Sequence, residues 1–390
     1  MKRTALLLAL LIAGTSSAVA APKPLEVKKL TLIAVNQSAE KLVISGKTLV
    51  TVANTDGLNS NILLTGLDVN GVQLWQKTID SGVDEVALVA ATDPLGNIWL
   101  AGASSKVVAP ESATAQVQAE NSDGVVLEPI TQLRGDMNVL TLWKVSSQGD
   151  LLGTFSSVQS TPALINAISV NASGVSIAGT VQDKPFIQSA NSQGVFGKAI
   201  SIGTSKTALN AIVRHADGTL SVFGTSSETL GGKKLAGVRD GVLIKVSKTG
   251  ALATVVRSSA PKADRSWLAA DSTLALTGFV KTGKVIETAF TKFTSAFAPT
   301  WTQRVTSLGI SAVVSAGSTT YGAFNTTSLF AWKPGTPSLA LVAFDSKGVM
   351  TAAYGSSEIT EPIALVYSKD FGLVGLARST SQTLSLFKVA

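Results

Sequence analysis

Short apolar runs alternate with polar turn residues along most of this chain. The stretch 61–104, NILLTGLDVNGVQLWQKTIDSGVDEVALVAATDPLGNIWLAGAS, contains four such runs, rich in Leu, Val, Ile and Trp. They are interrupted by Asn70-Gly71 and by the segment Asp-Pro-Leu-Gly-Asn at 93–97. Runs of this length bounded by turn residues are typical of β-strands in hairpins rather than of helices. The stretch therefore predicts one unit of four strands.

This unit recurs along the chain. Its first strand and turn appear six times, as LTGLDVNG (64–71), LWKVSSQG (142–149), IQSANSQG (187–194), LIKVSKTG (243–250), FTKFTSAF (290–297) and LVAFDSKG (341–348). All but the fifth end in Gly, which suits a hairpin turn that needs a positive φ. The fourth strand also appears six times, as GNIWLAG (96–102), SGVSIAG (173–179), GTLSVFG (218–224), STLALTG (272–278), GSTTYG (317–322) and FGLVG (371–375). Repeats of this length indicate a propeller or a solenoid.

The two ends of the chain predict that the repeats close into a ring. The last residues, LFKVA (386–390), match the first strand LWKVS (142–146) and end where its turn would begin. The N-terminal region lacks a first strand but supplies three others, KLTLIAV (29–35), KLVISG (41–46) and TLVTVAN (48–54). We therefore predict an all-β, seven-bladed β-propeller with four-stranded antiparallel blades, closed by the C-terminal strand joining the N-terminal blade. An open β-solenoid is the alternative.

Three segments exceed the regular spacing of the repeat: 105–136, 225–239 and 325–337. Each lies between the fourth strand of one unit and the first strand of the next. We therefore expect the three insertions on one face of the propeller. Loops on a rigid scaffold commonly carry function.

The N-terminus, MKRTALLLALLIAGTSSAVAA, has Lys2 and Arg3, then an apolar run, then small residues with Ala18 and Ala20 before the expected cleavage point. This pattern predicts a secretory signal peptide over 1–20, which leaves 21–390 as a single propeller domain. No other stretch approaches the ~18 apolar residues of a membrane helix, so no transmembrane segment is expected. The protein is expected to be secreted, periplasmic or at the cell surface.

The amino-acid composition excludes several kinds of functional site. The 390 residues include no Cys and one His, with 45% hydrophobic and 15% charged residues and a formal charge of +7. Disulfides, Cys-zinc sites and Cys nucleophiles are therefore excluded. The positive charge comes without a basic run or basic-aromatic interleaving, so nucleic-acid binding is not expected. A monomer is expected.

The unit at 61–104 resembles the SBBP-type repeats of secreted bacterial β-propellers. The residues that carry this resemblance are Asp68, Gly71, Trp75, Asp93, Gly96, Asn97, Trp99 and Gly102. The repeat is similar, more loosely, to that of pyrroloquinoline quinone-type propellers, in which a Trp four residues after the turn Gly docks the blades together. Trp75 and Trp301 fill that place, but other residues fill it in the remaining units: Gly153, Lys198, Thr254 and Ala352. What the resemblance implies is architecture, and no cofactor is expected.

His215, in the turn sequence VRHADG, is the only candidate imidazole and is expected to be a solvated turn residue. A Ser-His-Asp site would need it and is therefore not expected. The 105–136 insertion carries five acids: Glu111, Glu120, Asp123, Glu128 and Asp136. Paired acids could cut glycosides, whereas the alternative is a flexible, solvated loop. The fragment NSDG (121–124) is too short for a calcium loop, so no metal site is predicted.

The other two insertions carry candidate recognition residues. Lys233, Lys234 and Arg239 in 225–239 could capture an anionic ligand, or could form rim salt bridges of little value. Trp332 in 325–337 is expected to be an exposed recognition residue. With the charged residues of the first insertion they form one candidate partner-binding set: Glu120, Asp123, Glu128, Arg134, Asp136, Lys233, Lys234, Arg239 and Trp332.

These observations support one leading hypothesis. The chain is predicted to be an exported, non-enzymatic β-propeller that presents a loop-decorated face to a protein or a cell-envelope polymer such as a polysaccharide. The alternative is a secreted propeller hydrolase or lyase that acts on polysaccharide through carboxylates. A third option is a structural surface protein with no specific ligand. No catalytic residues are assigned.

Overall fold

The protein is described here from a computed structural model, which covers residues 25–389 except 38, 56, 58 and 107–132. Its regular structure within those ranges consists of 29 strands. The first two strands, β1 (Val27–Lys29) and β2 (Thr31–Gln37), lie in different sheets.

The remaining strands follow one another around a ring of seven sheets, here called blades 1 to 7. Blades 1 and 2 contain β3 (Lys41–Ser45), β4 (Thr48–Thr55), β5 (Asn61–Leu67) and β6 (Gln73–Ile79), then β7 (Glu85–Thr92), β8 (Ile98–Ser104), β9 (Val139–Val145) and β10 (Leu151–Val158). Blades 3 and 4 contain β11 (Ala163–Asn171), β12 (Gly174–Val181), β13 (Lys184–Asn191) and β14 (Ile200–Ser201), then β15 (Thr207–Arg214), β16 (Leu220–Ser226), β17 (Asp240–Val246) and β18 (Leu252–Ser258). Blades 5 and 6 contain β19 (Ala263–Ala270), β20 (Ala275–Thr282), β21 (Val285–Phe293) and β22 (Pro299–Thr306), then β23 (Ser311–Ala316), β24 (Thr319–Thr326), β25 (Ser338–Phe344) and β26 (Met350–Ser356). Blade 7 contains β27 (Ile359–Ser368), β28 (Gly372–Ser379), β29 (Leu384–Lys388) and β2.

The ring closes where the two ends of the chain meet. The N-terminal strand β2 pairs antiparallel with β29, with Leu32 opposite Phe387, and Phe387 is fully buried. Strand β1 adds in parallel to the outer edge of β26 in blade 6, with Val27 opposite Ala353. The N-terminal segment therefore binds blades 6 and 7 together. The prediction of a seven-bladed ring closed by the C-terminal strand is confirmed.

The boundaries of the blades differ from those of the sequence repeat. The unit at 61–104 contains the last two strands of blade 1, β5 and β6, and the first two strands of blade 2, β7 and β8. Likewise, three C-terminal strands and one N-terminal strand make the composite blade, rather than one and three. The long insertions therefore lie within blades 2, 4 and 6, between their second and third strands, and not between successive blades.

Both sets of repeated glycines have a structural cause. The turn glycines have positive φ values, for example 82° at Gly71 and 86° at Gly149, and Phe297 adopts the same conformation with φ 62° where Gly is missing. Gly102, in a second strand, lies against the Val86 carbonyl, where a bulge between Ala87 and Val89 displaces the innermost strand. A side chain has no room there. The same arrangement recurs in the next three blades, at Gly179, Gly224 and Gly278.

A large side chain on the outer strand of one blade packs beneath the turn glycine of the next blade. A Cβ added at Gly149 would lie 2.6 Å from the Trp75 ring, and one added at Gly348 would lie 2.6 Å from the Trp301 ring. Phe155 fills the same place beneath Gly194. Aromatic side chains therefore hold these neighbouring blades together through large buried areas.

The innermost strands of neighbouring blades run in the same direction. The Asn166 amide of blade 3 donates to the Leu209 carbonyl of blade 4 (3.0 Å), and five residues later Asn171 donates to the His215 carbonyl (2.9 Å). The blades are therefore oriented alike. The connections between second and third strands and those between blades meet at one end of the ring, here called the upper face. The other turns lie at the lower face.

Candidate functional site

The first insertion is anchored at the upper face by Arg134. Its guanidinium donates to Asp84, in the loop before β7, and to Asp136 (3.1 and 3.2 Å). Hydrogen bonding with Asp136 raises the pKa of Arg134, and the same contact lowers the pKa of Asp136 below its usual value. Three predicted site residues, Glu120, Asp123 and Glu128, and also Glu111, lie outside the described residues.

The second insertion folds over the outside of blade 4. It makes a tight turn in which Leu230 and Lys233 exchange backbone hydrogen bonds of 3.1 and 3.0 Å. Leu230 is buried, whereas the side chains of Lys233 and Lys234 are exposed. The Arg257 side chain on β18 donates to the Lys233 carbonyl (3.0 Å) and holds the turn in place.

Two ion pairs fix the base of this insertion. Asp240, which is fully buried, accepts hydrogen bonds from the backbone N–H groups of Ala236 and Gly237 (3.0 and 2.8 Å) and from the Arg257 guanidinium (2.9 Å). Burial would raise the pKa of Asp240, but hydrogen bonds from Ser259, Ala236, Gly237 and Arg257 outweigh burial and the pKa is lowered. Arg239 forms a two-bond pair with Asp264 of blade 5 (2.7 and 2.9 Å). Arg239 is therefore one of the rim salt bridges and already has a carboxylate partner.

The third insertion makes the same turn over blade 6. Leu329 and Trp332 exchange backbone hydrogen bonds of 3.0 Å, as Leu230 and Lys233 do. The Trp332 ring is half-buried against Gly355 of β26, beside the added strand β1. Its neighbour Phe330, with 44% of its surface exposed, is the more accessible aromatic side chain of this turn.

The upper ends of blades 4, 5 and 6 carry exposed lysines, which we call the upper basic arc. These are Lys233, Lys234, Lys262, Lys281, Lys284 and Lys333. Within the described residues, none of the six forms an ion pair. At this end of the blades, three acids pair with arginines: Asp264 with Arg239, Asp240 with Arg257 and Glu287 with Arg304. A fourth acid, Glu228, accepts hydrogen bonds from Thr204 and Thr207. The charge of the lysines is therefore free to attract an anionic partner.

Exposed apolar side chains lie among these lysines. They are Leu235, Val238, Val285, Leu308, Ile310 and Phe330, of which Val238 is 63% and Val285 is 58% exposed. Contacts make the surface continuous across the three blades. The Arg239 guanidinium lies 5.9 Å from the Phe279 ring centre, Gly309 lies against Phe279, and the Leu308 N–H donates to the Asn325 carbonyl (3.0 Å).

Sequence reasoning identified two of the six lysines, Lys233 and Lys234. The other four lie in the connection between blades 4 and 5, at the end of β20 and in the turn after it, and in the third insertion. They could have been found from the blade boundaries, because those boundaries decide which connections reach the upper face.

His215 lies at the lower face, in the turn between the first two strands of blade 4, and it is half-buried rather than fully solvated. Its Nε2 lies 2.7 Å from the Ser221 Oγ. Burial lowers the pKa of His215, so the neutral imidazole is favoured. Ser221 is 1% exposed, which leaves a substrate no access to this serine. The pair therefore has a structural role.

The side chains that line the central channel of the ring are mainly apolar. Its lower part forms a cavity of about 850 Å³ whose wall includes Ile44, Ile168, Ile212, Val314 and Val366. A smaller cavity of about 340 Å³ lies above it. Asp93 is the one carboxylate of the lower cavity. Burial would raise the pKa of Asp93, but hydrogen bonds from Asn97, Trp99 and Leu95 outweigh burial and lower it.

Two further observations concern the described residues only. No three His, Asp or Glu side chains in 25–106 and 133–389 lie close enough together to hold a metal ion. In the same part of the chain, no helix has the length and apolar character that crossing a membrane requires.

No protein-family model and no curated protein matches this sequence. Several solved structures are similar in shape. A chain of the mitotic checkpoint complex has a TM-score of 0.54 at 11% identity, covering 100% of this chain and 99% of that one. A proposed 6-phosphogluconolactonase from Bacteroides uniformis has a TM-score of 0.52 at 11% identity, covering 88% and 93%. The β-propeller domain of the Trilobed protease from Pyrococcus furiosus has a TM-score of 0.49 at 9% identity, covering 93% and 95%.

At such low identity, the first two similarities support the fold alone. The propeller fold is commonly a binding scaffold, and this chain has that fold without an assigned family.

Proposed function

We propose that this chain is an exported binding protein that presents the upper basic arc to a negatively charged partner, a protein or a cell-envelope polymer. The observation that carries the proposal is that six lysines, which form no ion pair with any residue the structure describes, lie among exposed apolar side chains on one continuous surface. Lysines steer an anionic partner towards the surface, and apolar side chains supply the contact area that holds it. Since the apolar residues are mostly aliphatic rather than the aromatic rings that stack on sugars, an acidic protein is the favoured partner.

The blades provide a rigid support for this surface. The buried Asp240–Arg257 pair and the Arg239–Asp264 pair fix both ends of the connection between blades 4 and 5. A surface held in this way loses little conformational freedom on binding, which favours affinity.

Export is part of the proposal and rests on the N-terminal sequence. Expression of the full chain in a bacterium, followed by fractionation and N-terminal sequencing, is expected to give a mature protein that starts at Ala21 outside the cytoplasm. Full-length protein retained in the cytoplasm would contradict export.

The second hypothesis, a polysaccharide hydrolase or lyase, has less support. Such an enzyme needs two carboxyl groups in different protonation states beside one substrate. Of the described acids in the first insertion and its surroundings, Asp84 and Asp136 share the guanidinium of Arg134. The contact with Arg134 lowers the pKa of Asp136, which does not suit this group as the proton donor.

A charge-reversal experiment tests the upper basic arc. Residues 21–390 are coupled to a support and incubated with envelope extract at rising salt, with cross-linking and mass spectrometry to identify the bound surface. The test variant carries Lys233→Glu, Lys234→Glu and Lys284→Glu. The matched control carries Lys47→Glu, Lys347→Glu and Lys369→Glu, which change the charge equally at exposed positions of the lower face.

We expect an acidic partner that is lost with the upper-face variant, retained with the control and released by salt, because exposed charges are screened. Equal binding by both variants, or cross-links confined to the lower face, would overturn the assignment.

A further inference from the structure

A separate cavity of about 740 Å³ lies at the lower face between blades 3 and 4. Its volume falls within the range of small-molecule sites, ~300–1,000 Å³. Three cationic side chains line it, Arg214, Lys198 and Lys248, and none of the described residues in its lining is acidic. The lining also includes hydroxyl groups, such as those of Ser189 and Ser201, and apolar surface from Ile200 and Leu220.

The cavity exists because blade 3 departs from the pattern of the ring. Its outer strand β14 has two residues, whereas the outer strands of blades 1, 2, 4 and 5 have seven or eight. At the place filled by Trp75, Phe155 or Trp301 in other blades, blade 3 has Ile200, which lies beneath Gly250 of blade 4. A short strand and a smaller side chain leave open the space that an aromatic ring occupies elsewhere.

The guanidinium of Arg214 is held in position on the inner wall of this cavity. Its Nε donates to Asn171 Oδ1 (3.2 Å) and its Nη1 to Ser176 Oγ (2.8 Å), which in turn bonds Ser189 Oγ (2.7 Å). Ser173 Oγ accepts from Nε and Nη2 (3.3 and 3.1 Å). All these partners are neutral. Fixed donors that need no reorganisation are favourable for binding an anion.

No carboxylate compensates the charge of this wall. Among the residues that the structure describes, Arg214, Lys198 and Lys248 form no ion pair. Asp217 lies in the turn that follows Arg214, but its carboxylate accepts hydrogen bonds from the Thr219 backbone N–H and hydroxyl (2.9 and 2.7 Å). Burial lowers the pKa of Arg214, as expected for a cation without a counter-ion.

We propose that the blade 3–4 cavity binds an organic oxyanion of sugar size, with its phosphate or carboxylate on Arg214, Lys198 and Lys248 and its body against Ile200. The guanidinium fork matches either anionic group, and the surrounding hydroxyls suit a polyhydroxylated body. This site is independent of the upper basic arc, because it lies at the opposite face.

Binding to the folded mature chain tests the proposal. Glucose 6-phosphate, glucuronate, inorganic phosphate and glucose are titrated at constant ionic strength by calorimetry, with thermal shift as a second readout. We expect saturable binding of at least one of the two sugar anions, more tightly than inorganic phosphate, and none of glucose. The comparison of glucose 6-phosphate with glucuronate shows which anionic group the site takes.

Variants distinguish binding in this cavity from a general effect of positive charge on the protein surface. Lys198→Ala with Lys248→Ala is expected to weaken the Kd about tenfold or more, since losing charged hydrogen bonds costs at least that much. Lys233→Ala with Lys234→Ala removes the same charge from the upper face and should leave the Kd unchanged. Ile200→Trp restores the filling side chain and should abolish binding without lowering the Tm.

Three results would overturn the proposal. They are no saturable binding of either sugar anion, binding of inorganic phosphate as tight as that of the sugar anions, and a Kd that is the same in the lysine variant and in Ile200→Trp as in the native chain.

Discussion

Leu32 and Phe387 lie opposite each other in the outer strands of blade 7, although almost the whole chain separates them in sequence. Phe387 is fully buried, in a cluster that includes Leu30, Leu341 and Ile359. The pairing joins an N-terminal strand to three C-terminal strands in a single sheet. The closure of the ring therefore depends on side chains from both ends of the chain.

Truncation of Phe387 tests this dependence. Phe387→Ala is expected to lower the free energy of unfolding by about 3–5 kcal/mol, because it removes a buried ring and leaves a cavity. Phe330→Ala is the matched control, since Phe330 is 44% exposed, and should change stability by less than about 0.5 kcal/mol. Urea titration followed by tryptophan fluorescence measures both. Similar losses in the two variants would contradict the role of Phe387.

The two ion pairs beneath the second insertion should differ in their contribution. Asp240 and Arg257 have side chains 0% and 8% exposed, whereas Asp264 and Arg239 are 27% and 41% exposed. Asp240→Asn leaves a buried guanidinium without its counter-charge and is expected to cost about 3–5 kcal/mol of unfolding free energy. Asp264→Asn should cost less than about 1 kcal/mol. Equal costs in urea titrations would show that burial does not distinguish the pairs.

Gly149 has a positive φ and lies against the Trp75 ring. Adding a side chain at this position should therefore both strain the backbone and overpack the contact. Gly149→Ala has to adopt φ 86° and brings its Cβ to 2.6 Å from the Trp75 ring. Gly46→Ala shares the positive φ, 57°, but meets no atom within 4 Å. We expect about 1–2 kcal/mol of destabilisation for Gly46→Ala, from φ strain alone. Gly149→Ala should cost about 1–3 kcal/mol more, from overpacking. The prediction fails if the two variants have the same thermal midpoint.

The lowered pKa of His215 leads to a prediction of how the stability of the protein depends on pH. Its pKa in the folded protein is lowered from 6.5 by burial, so below pH 6.5 the unfolded chain binds a proton more readily than the folded protein does. Stability should therefore decrease as the pH falls through 6.5 towards the lower folded pKa. Because His215 is the only His, His215→Gln should remove this decrease. Unfolding free energies at pH 7.5 and 5.5 provide the measurement, and an unchanged decrease in the variant would contradict the assignment.

The number of blades and their closure could be predicted from the sequence because each repeated glycine is required by the local backbone structure. Gly71 reports a turn with positive φ, and Gly102 reports a close approach of the neighbouring strand. Neither constraint says which strands share a sheet, since a hairpin and a crossing between blades both join antiparallel runs with short connections. The repeat was therefore counted correctly but divided at the wrong place.

The candidate sites were harder to predict for a different reason. Lys233 and Lys234 stand out in a long insertion, but Lys281 lies at the end of β20 and Lys284 lies in the two-residue turn that follows. Only the shared orientation of the blades brings them to the same face. The blade 3–4 cavity depends on the shortness of β14, which no pattern of apolar residues around Ile200 reveals. Trp332 was expected in solvent, and its half-burial follows from the glycine at 355, which leaves room for the ring.

The long connections occur in blades 2, 4 and 6, and seven is an odd number. When every second blade of a seven-bladed ring carries an insertion, two adjacent blades must lack one. Those two are blades 7 and 1. The insertions are therefore spaced unevenly around the upper face, and the widest gap between them lies at the two blades beside the junction of the chain ends.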